Sequence, residues 1–222
     1  MEILVIGTDD NLNESRHKFG NQHVYHAAGS HSKAKEFLKP ETIVFDFEIG
    51  ETPNAISFYK DFDGTAFLDL SKNSLKLLIK SAATTTTFFG FCGIPTFLSR
   101  EILEVSLHES DDLGELNDLC LKLNTKFAVV KDQVGLVTPR VICMIINEAY
   151  FSIQENIASR DDIDLAMRLG TNYPFGPFEW CEKMGIRNVC EVLNAVYENT
   201  KDERYKICEL LEAEAVRFTH GH

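Results

Sequence analysis

The sequence lacks the features that mark membrane and exported proteins. No apolar run reaches the roughly 18–20 residues that a membrane-spanning helix needs, so no such helix is predicted. The N-terminal stretch MEILVIGT has no basic residues before its apolar run, which predicts a strand and not a signal peptide. We therefore expect a cytoplasmic protein that does not associate with membranes.

Paired cysteines and metal-binding patterns are also missing. The six cysteines lie singly, without a CxxC pair, and His17, His23, His26 and His31 are unevenly spaced. Neither pattern matches the ligand spacing of a zinc site, so no metal site is predicted. Single cysteines in apolar or helical segments indicate reduced, partly buried thiols, which suits a cytoplasmic protein.

Positive charge is scarce. The chain has 22 Lys and Arg residues against 34 Asp and Glu residues, which gives a formal net charge of −12. This excess of negative charge disfavours nucleic acid and anionic membrane as partners, because their phosphates repel it. An anionic ligand would need a local basic patch.

The first half of the sequence alternates short apolar, β-branched runs with short helical segments. With 222 residues, 44% of them hydrophobic, the chain is long enough for one large or two smaller globular domains. The alternation predicts an α/β layer with a mostly parallel sheet. Strands are expected in the segments 1–8, 23–28, 42–49, 66–70, 88–92, 103–107 and 127–130. Helices are expected over Asn13–Lys18, Ser32–Leu38, Ser74–Ser81 and Leu113–Asn124, with a loop or strand edge at Thr84–Thr87.

The pattern changes after Asp132, where helical periodicity replaces the alternation. Five helices are expected in the segments 140–156, 161–169, 178–184, 187–199 and 203–217. The boundary falls near Gln133–Gly135, so we expect an α/β domain over residues 1–133 and an all-α domain over residues 134–222. The first of the five helices carries more apolar residues than a lone surface helix needs, which fits a core helix or a dimer interface.

Three ordered motifs in the second half carry a resemblance to a known family. They are VKDQVGLVTPR, INEAYFSIQENIASRDDIDLAMRLG and NYPFGPFEWCEKMG. The stretch resembles the C-terminal domain of the 3-hydroxyacyl-CoA dehydrogenase family. The resemblance runs from about Phe88 to about Leu211, and more faintly over residues 1–87. It implies a shortened, Rossmann-like N-terminal domain followed by a helical domain that forms a homodimer. It also implies an NAD-dependent oxidoreductase of fatty acid metabolism with an acyl-CoA-like ligand.

The family's catalytic pair is a histidine in G-L-H-F-F-N-P and a glutamate twelve residues later in L-V-E-V. The glutamate orients the histidine, which acts as general base. Here Glu104 matches the glutamate, whereas Cys92 stands at the histidine position. A thiol accepts a proton only as a thiolate, and a neighbouring carboxylate opposes the formation of that anion. Cys92 therefore fills the base position, acts as a nucleophile without a histidine near it in sequence, or is simply a small buried thiol.

Two further polar positions of the family change in this sequence. The N-T-S-S segment, which places a hydroxyl near the substrate oxygen, corresponds to Ser71–Ser74. Asn73 stands at the usual serine position with Ser74 beside it, and either could donate a hydrogen bond to a carbonyl oxygen. The asparagine of the interdomain segment is replaced by Pro139, which has no side-chain donor.

The cofactor fingerprint is mostly absent. A dinucleotide site needs G-x-G-x-x-G between a strand and a helix, so that the backbone can approach the diphosphate. The turn after the first strand keeps only Gly7, and Asp9 and Asp10 place negative charge where a diphosphate would lie. The segment 27–30 also lacks the acidic residue that binds the ribose. The resemblance thus implies NAD with Gly7 as its one candidate ligand, while the residues themselves predict a scaffold that no longer binds it.

Two functions follow from these observations. One is a 3-hydroxyacyl-CoA dehydrogenase-like protein with degenerate cofactor and catalytic sites. The other is a non-catalytic relative, a possible pseudoenzyme, that acts as a dimeric acyl-CoA-binding or interaction protein.

Overall fold

The computed structural model describes residues 1–80 and 85–219. The chain divides into two compact units, Met1–Leu136 and Val137–His222. The strands all lie in the first unit, together with short helices, and the described part of the second unit is helical. All six cysteines are free thiols, and five of them are buried. None of the described helices is long and apolar enough to cross a membrane.

The first unit is built on a seven-stranded, mostly parallel sheet, which confirms the predicted α/β class. Its strand order is β2-β1-β3-β4-β5-β6-β7, and β6 runs antiparallel to β5. The strands are β1 (Glu2–Ile6), β2 (Val24–Ala28), β3 (Thr42–Asp46), β4 (Thr65–Asp69), β5 (Thr87–Phe91), β6 (Ile102–Leu107) and β7 (Lys126–Val130). Every residue of β3 and β4 is buried, as expected for central strands of a sheet that is covered on both faces.

The α-helices described in the first unit differ in length or in position from those that the sequence predicts. They are α1 (Asp9–Phe19), α2 (His31–Ala34), α3 (Leu75–Leu78) and α4 (Leu113–Lys122). The prediction of Asn13–Lys18 was wrong at its start, because Thr8 caps the helix and the helix begins at Asp9, four residues before Asn13. The predicted helix Ser32–Leu38 is a single α-helical turn followed by a 3-10 turn. Ser81 and Thr84, where two other predictions fall, lie outside the described residues.

Aromatic rings fill the core of the sheet. Phe45 of β3 stacks on Phe67 of β4 with ring centroids 4.7 Å apart, and it meets Phe91 of β5 edge to face at 5.6 Å. The carboxyl ends of the parallel strands β1, β3, β4 and β5 share one edge, and the antiparallel strand β6 starts there. We call this side of the sheet the C-terminal edge. In open α/β sheets, ligands bind at this edge.

The described residues of the second unit form five α-helices, as the sequence predicts. They are α5 (Thr138–Gln154), α6 (Arg160–Thr171), α7 (Pro177–Met184), α8 (Ile186–Thr200) and α9 (Glu209–Thr219). The predicted helix over residues 203–217 is interrupted, because a 3-10 turn at Glu203–Tyr205 precedes α9. The interruption is held by Asn147 of α5, whose side chain accepts from the Cys208 N–H and donates to the Lys206 carbonyl, each at 2.8 Å.

Candidate functional site

Strand register brings the two candidate catalytic residues together. Phe89 pairs with Leu107 and Gly90 with Ser106 in the antiparallel β5–β6 ladder. Continued by two residues, this register sets Cys92 opposite Glu104. Residues directly opposite in antiparallel strands have Cβ atoms about 5 Å apart. Cys92 is buried and Glu104 is half-buried, so the spacing of twelve residues in the sequence becomes a lateral pair at the C-terminal edge.

A buried carboxylate, Asp69, joins the neighbouring segments. Asp69 ends β4, and its Oδ1 accepts hydrogen bonds from the N–H groups of Ser71 at 2.9 Å and Gly93 at 2.8 Å. Its Oδ2 accepts from the Ser71 hydroxyl at 3.0 Å. Burial raises the pKa of the Asp69 carboxyl, and the donors from Gly93 and Ser71 oppose that rise. Asp69 therefore ties the loop after β4 to the turn that follows Cys92.

The loop Ser71–Ser74 is held at its far end as well. The Ser74 hydroxyl accepts from the Leu77 N–H at 3.3 Å and caps α3. Asp132 accepts from the N–H groups of Leu75 and Lys76 at 2.8 and 2.9 Å. The Asp of the VKDQVG motif thus has a structural role that the motif alone did not reveal.

Of the two candidate donors in this loop, the structure distinguishes one. Ser74 is buried, and its oxygen is engaged in the helix cap. Asn73 is half-buried, and among the described residues its side-chain amide has no hydrogen-bond partner. Asn73 is therefore the donor that this loop leaves available to a ligand.

In the turn that follows Gly7, the side chains of Thr8 and Asn11 bind the backbone N–H groups. The Thr8 N–H donates to Asn11 Oδ1 at 2.8 Å, and the Asn11 N–H donates to the Thr8 hydroxyl at 3.3 Å. A Cβ on Gly7 would lie 2.6 Å from Asn11 Oδ1, so glycine is needed here to make room for the cap. Asp9 and Asp10 are exposed in the first turn of α1. A dinucleotide diphosphate needs free N–H groups and no competing anions at this position. The residues present do not fit that group.

A histidine–aspartate pair at the same edge was missed by sequence reasoning. Asp46 ends β3, is fully buried, and accepts from the N–H groups of Glu48 and Ile49, both at 3.0 Å. Its Oδ2 lies 2.8 Å from His31 Nε2 and accepts from the Tyr59 hydroxyl at 2.7 Å. Burial and the neighbouring Asp46 carboxylate raise the pKa of Tyr59 well above its usual value. An aspartate at the end of a buried strand is the signal that could have indicated this cluster.

Pro139, at the position of the family's asparagine, lies in the first turn of α5 and is buried. A proline suits a first helical turn because the N–H it lacks has no partner within the helix. In the described residues, no group of three or more His, Cys, Asp or Glu could hold a metal ion.

In the second unit, the GPFE turn is a structural device. Asp164 of α6 accepts from the N–H groups of Phe178 and Glu179 at 2.8 and 3.1 Å, and so caps α7. A Cβ on Gly176 would lie 2.3 Å from Asp164 Cγ, so this approach requires glycine. Glu179 accepts in turn from the Gly176 N–H at 3.0 Å and from Arg168 at 2.9 Å. The matched residues of the DDID and GPFE motifs therefore bind each other.

A cavity of about 690 Å³ lies beside this turn within the second unit. Tyr150 donates to Glu214 at 3.0 Å there, and Arg160 pairs with the same carboxylate at 2.5 Å. The Arg160 guanidinium also lies over the rings of Tyr150 and Phe178. Burial raises the pKa of Cys181, which lines the cavity, to about 11, so this thiol stays protonated at neutral pH. The charged groups of the cavity are largely committed to one another.

An open, mostly parallel sheet with helices along the chain between its strands is a Rossmann-like, doubly wound α/β architecture, here followed by a helical unit. The family model of the 3-hydroxyacyl-CoA dehydrogenase C-terminal domain matches residues 135–217. The helical unit therefore resembles the C-terminal domain of the 3-hydroxyacyl-CoA dehydrogenase family, as its motifs predict.

Individual relatives agree with this assignment. The chain is 40% identical over 87 residues to the 3-hydroxyadipyl-CoA dehydrogenase of Escherichia coli K12, a match that covers 39% of this chain and 18% of that protein. It is 28% identical over 149 residues to the 3-hydroxybutyryl-CoA dehydrogenase of Clostridioides difficile, covering 64% and 53%. The crystal structure of (S)-3-hydroxybutyryl-CoA dehydrogenase from Ralstonia eutropha has the same fold, with a TM-score of 0.71 at 16% identity, covering 98% of this chain and 94% of that one. The matches thus span from about a fifth to about half of the length of these two curated relatives.

Proposed function

We propose that the protein has a 3-hydroxyacyl-CoA dehydrogenase-like function, with 3-hydroxyacyl or 3-oxoacyl thioesters of coenzyme A as its ligand class. The observation that carries the proposal is the antiparallel register of β5 and β6, which would set Cys92 opposite Glu104 when it is continued by two residues. These are the positions at which the family holds its base and the residue that orients it. The loop bearing Asn73 is tied to the turn after Cys92 through Asp69.

The chemistry available at this edge is hydrogen bonding. The Asn73 amide would donate to the oxygen on C3 of the acyl chain. A glutamate carboxylate ordinarily holds no proton at neutral pH, whereas a thiol ordinarily keeps its proton. Glu104 would therefore accept a hydrogen bond from the hydroxyl on C3, and Cys92 would fill the space of the missing imidazole as a small neutral group. Ser74 would support Asn73 through the cap of α3.

NAD is the cofactor that the family resemblance suggests, and the closed turn at Gly7 opposes it. We therefore assign no step to hydride transfer. The assignment of Gly7 to cofactor binding stays a prediction, because the Asn11 cap already explains the need for glycine at this position.

The test is calorimetric binding of acetoacetyl-CoA, followed by its reduction by NADH, for the wild type and Glu104→Gln. The matched control is Glu101→Gln, which removes an exposed carboxylate at the start of the same strand. Binding of acetoacetyl-CoA with turnover that Glu104→Gln abolishes, and Glu101→Gln spares, supports a dehydrogenase. Absence of acetoacetyl-CoA binding to the wild type would overturn the ligand class.

The second candidate function is that of a non-catalytic relative that binds an acyl-CoA or a partner protein as a homodimer. The self-capped N-terminus of α1 favours it, because the groups that would bind a diphosphate are already used. Calorimetry with NAD and NADH separates the candidates. Acetoacetyl-CoA binding without binding of either dinucleotide supports this function, whereas tight NAD binding counts strongly against it.

The homodimer would form through the helical unit. Val141 of α5 and Leu165 and Leu169 of α6 expose 49%, 50% and 78% of their surface. Leu165 and Leu169 are four residues apart and therefore share one face of α6. We expect Leu169→Glu to lower the molar mass measured by light scattering from dimer to monomer. Leu121→Glu, at an equally apolar and exposed site of the first unit, is the control and should have no such effect.

A further inference from the structure

The loop Ser71–Ser74 is fixed by carboxylates on both sides. At its start, Asp69 accepts from the N–H and the hydroxyl of Ser71. At its end, Asp132 accepts from the N–H groups of Leu75 and Lys76. A four-residue connection anchored at both ends by charge-assisted hydrogen bonds has little conformational freedom left.

These anchors leave one side chain of the loop uncommitted. The Ser71 hydroxyl is bound to Asp69, Lys72 is paired with Glu51, and the Ser74 hydroxyl caps α3. Within the described part of the chain, only the Asn73 side chain of this loop makes no hydrogen bond. The loop is therefore built to hold an amide in a fixed place.

Asp69 also sets where that amide lies relative to Cys92. The same Oδ1 atom that binds the Ser71 N–H binds the Gly93 N–H at 2.8 Å. A Cβ on Gly93 would lie 2.8 Å from Asp69 Cγ and 2.9 Å from a ring carbon of Phe47, so glycine is needed for this contact. One carboxylate oxygen thus sets the distance between the Ser71–Ser74 loop and the turn at Gly93, which follows Asp69 by 24 residues.

Fold stability alone is a poor reason for a carboxylate at this position. Asp69 is 7% exposed, and burial penalises its charged form. A buried charge costs free energy that even good hydrogen bonds only partly offset. Bonds to two separate segments give the carboxylate a use that an apolar residue could not supply.

We propose that Asp69 is a positioning residue, which holds Asn73 and the Cys92 turn at the separation that the acyl-CoA ligand requires. The proposal rests on the proposed ligand class for its purpose and on the hydrogen bonds of Asp69 for its geometry. Asp132 supports the same loop from its other end.

The experiment compares wild type, Asp69→Asn and the control Asp63→Asn, which removes an exposed carboxylate just before β4. The first readout is the alkylation rate of each cysteine by iodoacetamide under native conditions, resolved by peptide mass spectrometry. Cys120 is buried in the core of the same unit and reports its global unfolding. In Asp69→Asn we expect Cys92 to react at least about tenfold faster while the rate at Cys120 stays unchanged.

The second readout is the affinity for acetoacetyl-CoA, which a merely structural residue would not affect in this pattern. Asp69→Asn and Asn73→Ala should each weaken binding, and the double variant should be no weaker than the weaker single one. Such non-additivity identifies a residue that acts through Asn73. Asp63→Asn should bind like the wild type.

The outcomes separate the two proposals. Faster reaction at Cys92 alone, with non-additive losses of affinity, supports the positioning role. An unchanged rate at Cys92, equal acceleration at Cys92 and Cys120, or additive losses would overturn it. If the wild type does not bind acetoacetyl-CoA, the ligand class fails and the proposed purpose fails with it. A selective change in the alkylation rate of Cys92 would still establish that Asp69 holds the turn after Cys92 in place.

Discussion

The two units of this chain differ in what their family motifs do. In the helical unit the motifs are retained, and the contacts of their residues are made within the unit. Asn147 of the NEA segment binds backbone groups of the segment 206–208, and Asp164 caps the helix of the GPFE turn. In the α/β unit, the resemblance places the family's base at Cys92 and its cofactor fingerprint in the turn after Gly7, and the family's residues are absent from both places. The resemblance is strongest where residues maintain the fold and weakest where they would react.

This contrast shows why a strong motif match is a limited guide to activity. The GPFE turn identifies the family because its geometry tolerates few substitutions: Gly176 must lack a side chain for Asp164 to approach. The chemistry that Cys92 and Glu104 can perform depends on their own side chains and not on the geometry of that turn. A motif that is preserved for packing therefore carries information on ancestry, whereas activity depends on separate residues.

The largest effect is expected at the NEA motif. Asn147→Ala would leave the buried Cys208 N–H and the part-buried Lys206 carbonyl without their partner. We expect a loss of about 3 kcal/mol in the free energy of unfolding, from two unsatisfied backbone groups. Urea unfolding followed by the fluorescence of the single tryptophan, Trp180, measures it in the helical unit. Asn194→Ala, at an exposed position of α8, is the control, and equal losses in the two variants would refute a structural role for the motif.

A somewhat smaller effect is expected at the GPFE turn. A methyl group added by Gly176→Ala would overlap Asp164, with a nearest distance of 2.3 Å to its Cγ. We expect destabilisation of about 2 kcal/mol, because Asp164 must give up its cap or the helices must shift. Trp180 fluorescence in urea is again the measurement.

The control for this substitution is Gly170→Ala in α6, where an added Cβ meets nothing within 4 Å. Alanine inside a helix is favoured over glycine by about 0.5–1 kcal/mol, so this variant should be more stable than the wild type. A Gly176→Ala protein as stable as the wild type would show that the close approach does not constrain the turn.

Much of the fold could be predicted from the sequence, because the local periodicity of apolar residues indicates the alternating strands and helices of the first half and the helices of the second. The start of α1 was also within reach: Thr8 followed three residues later by Asn11 resembles a capping box. The contacts that build the site were not. Asp69 meets Gly93, and Asp132 meets Leu75, across 24 and 57 residues. No local pattern encodes such pairings; they follow from which strands become neighbours.

The antiparallel pairing of β5 with β6 shows the same limit in the candidate pair. The spacing of Cys92 and Glu104 came from a resemblance, and their lateral proximity depends on the direction of β6. His31 could not be distinguished from the other histidines of its polar stretch. Its partner Asp46 is defined only once β3 is placed in the centre of the sheet.

The α/β unit offers a smaller test of the contrast, at its closed turn. Asn11→Ala would remove the acceptor of the Thr8 N–H, and we expect the free energy of unfolding of this unit to fall by about 1 kcal/mol. The measurement is the urea dependence of Cys120 alkylation, since Trp180 reports the other unit. Calorimetry on the same variant should detect no gain in NADH binding over the wild type, because Asp9 and Asp10 remain. Tight NADH binding by Asn11→Ala would mean that the cap alone prevents this turn from binding the cofactor. The two units would then differ less in their retention of functional residues than their motifs indicate.

The smallest expected effect is a pH dependence carried by Asp69. Burial raises the pKa of this carboxyl in the folded protein above its value in the unfolded chain. The folded state therefore binds the proton more tightly, and the stability linked to Asp69 is fully present below the unfolded pKa and is lost as pH rises through the folded pKa. Asp69→Asn does not titrate. The stability advantage of the wild type over this variant should therefore shrink as pH rises from about 4, the usual range of an aspartate, to about 7.

Cys120 alkylation in urea, repeated across that range with rates corrected for thiol ionisation, measures this advantage. Because both proteins share every other titrating group, those contributions cancel in the difference. Asp63→Asn, which alters an exposed carboxylate, should give a nearly flat difference from the wild type. An advantage at Asp69 that grows with pH would mean that the hydrogen bonds from Ser71 and Gly93 outweigh the cost of burial. The carboxylate would then stabilise the α/β unit by itself, and the need for a positioning role to explain its burial would disappear.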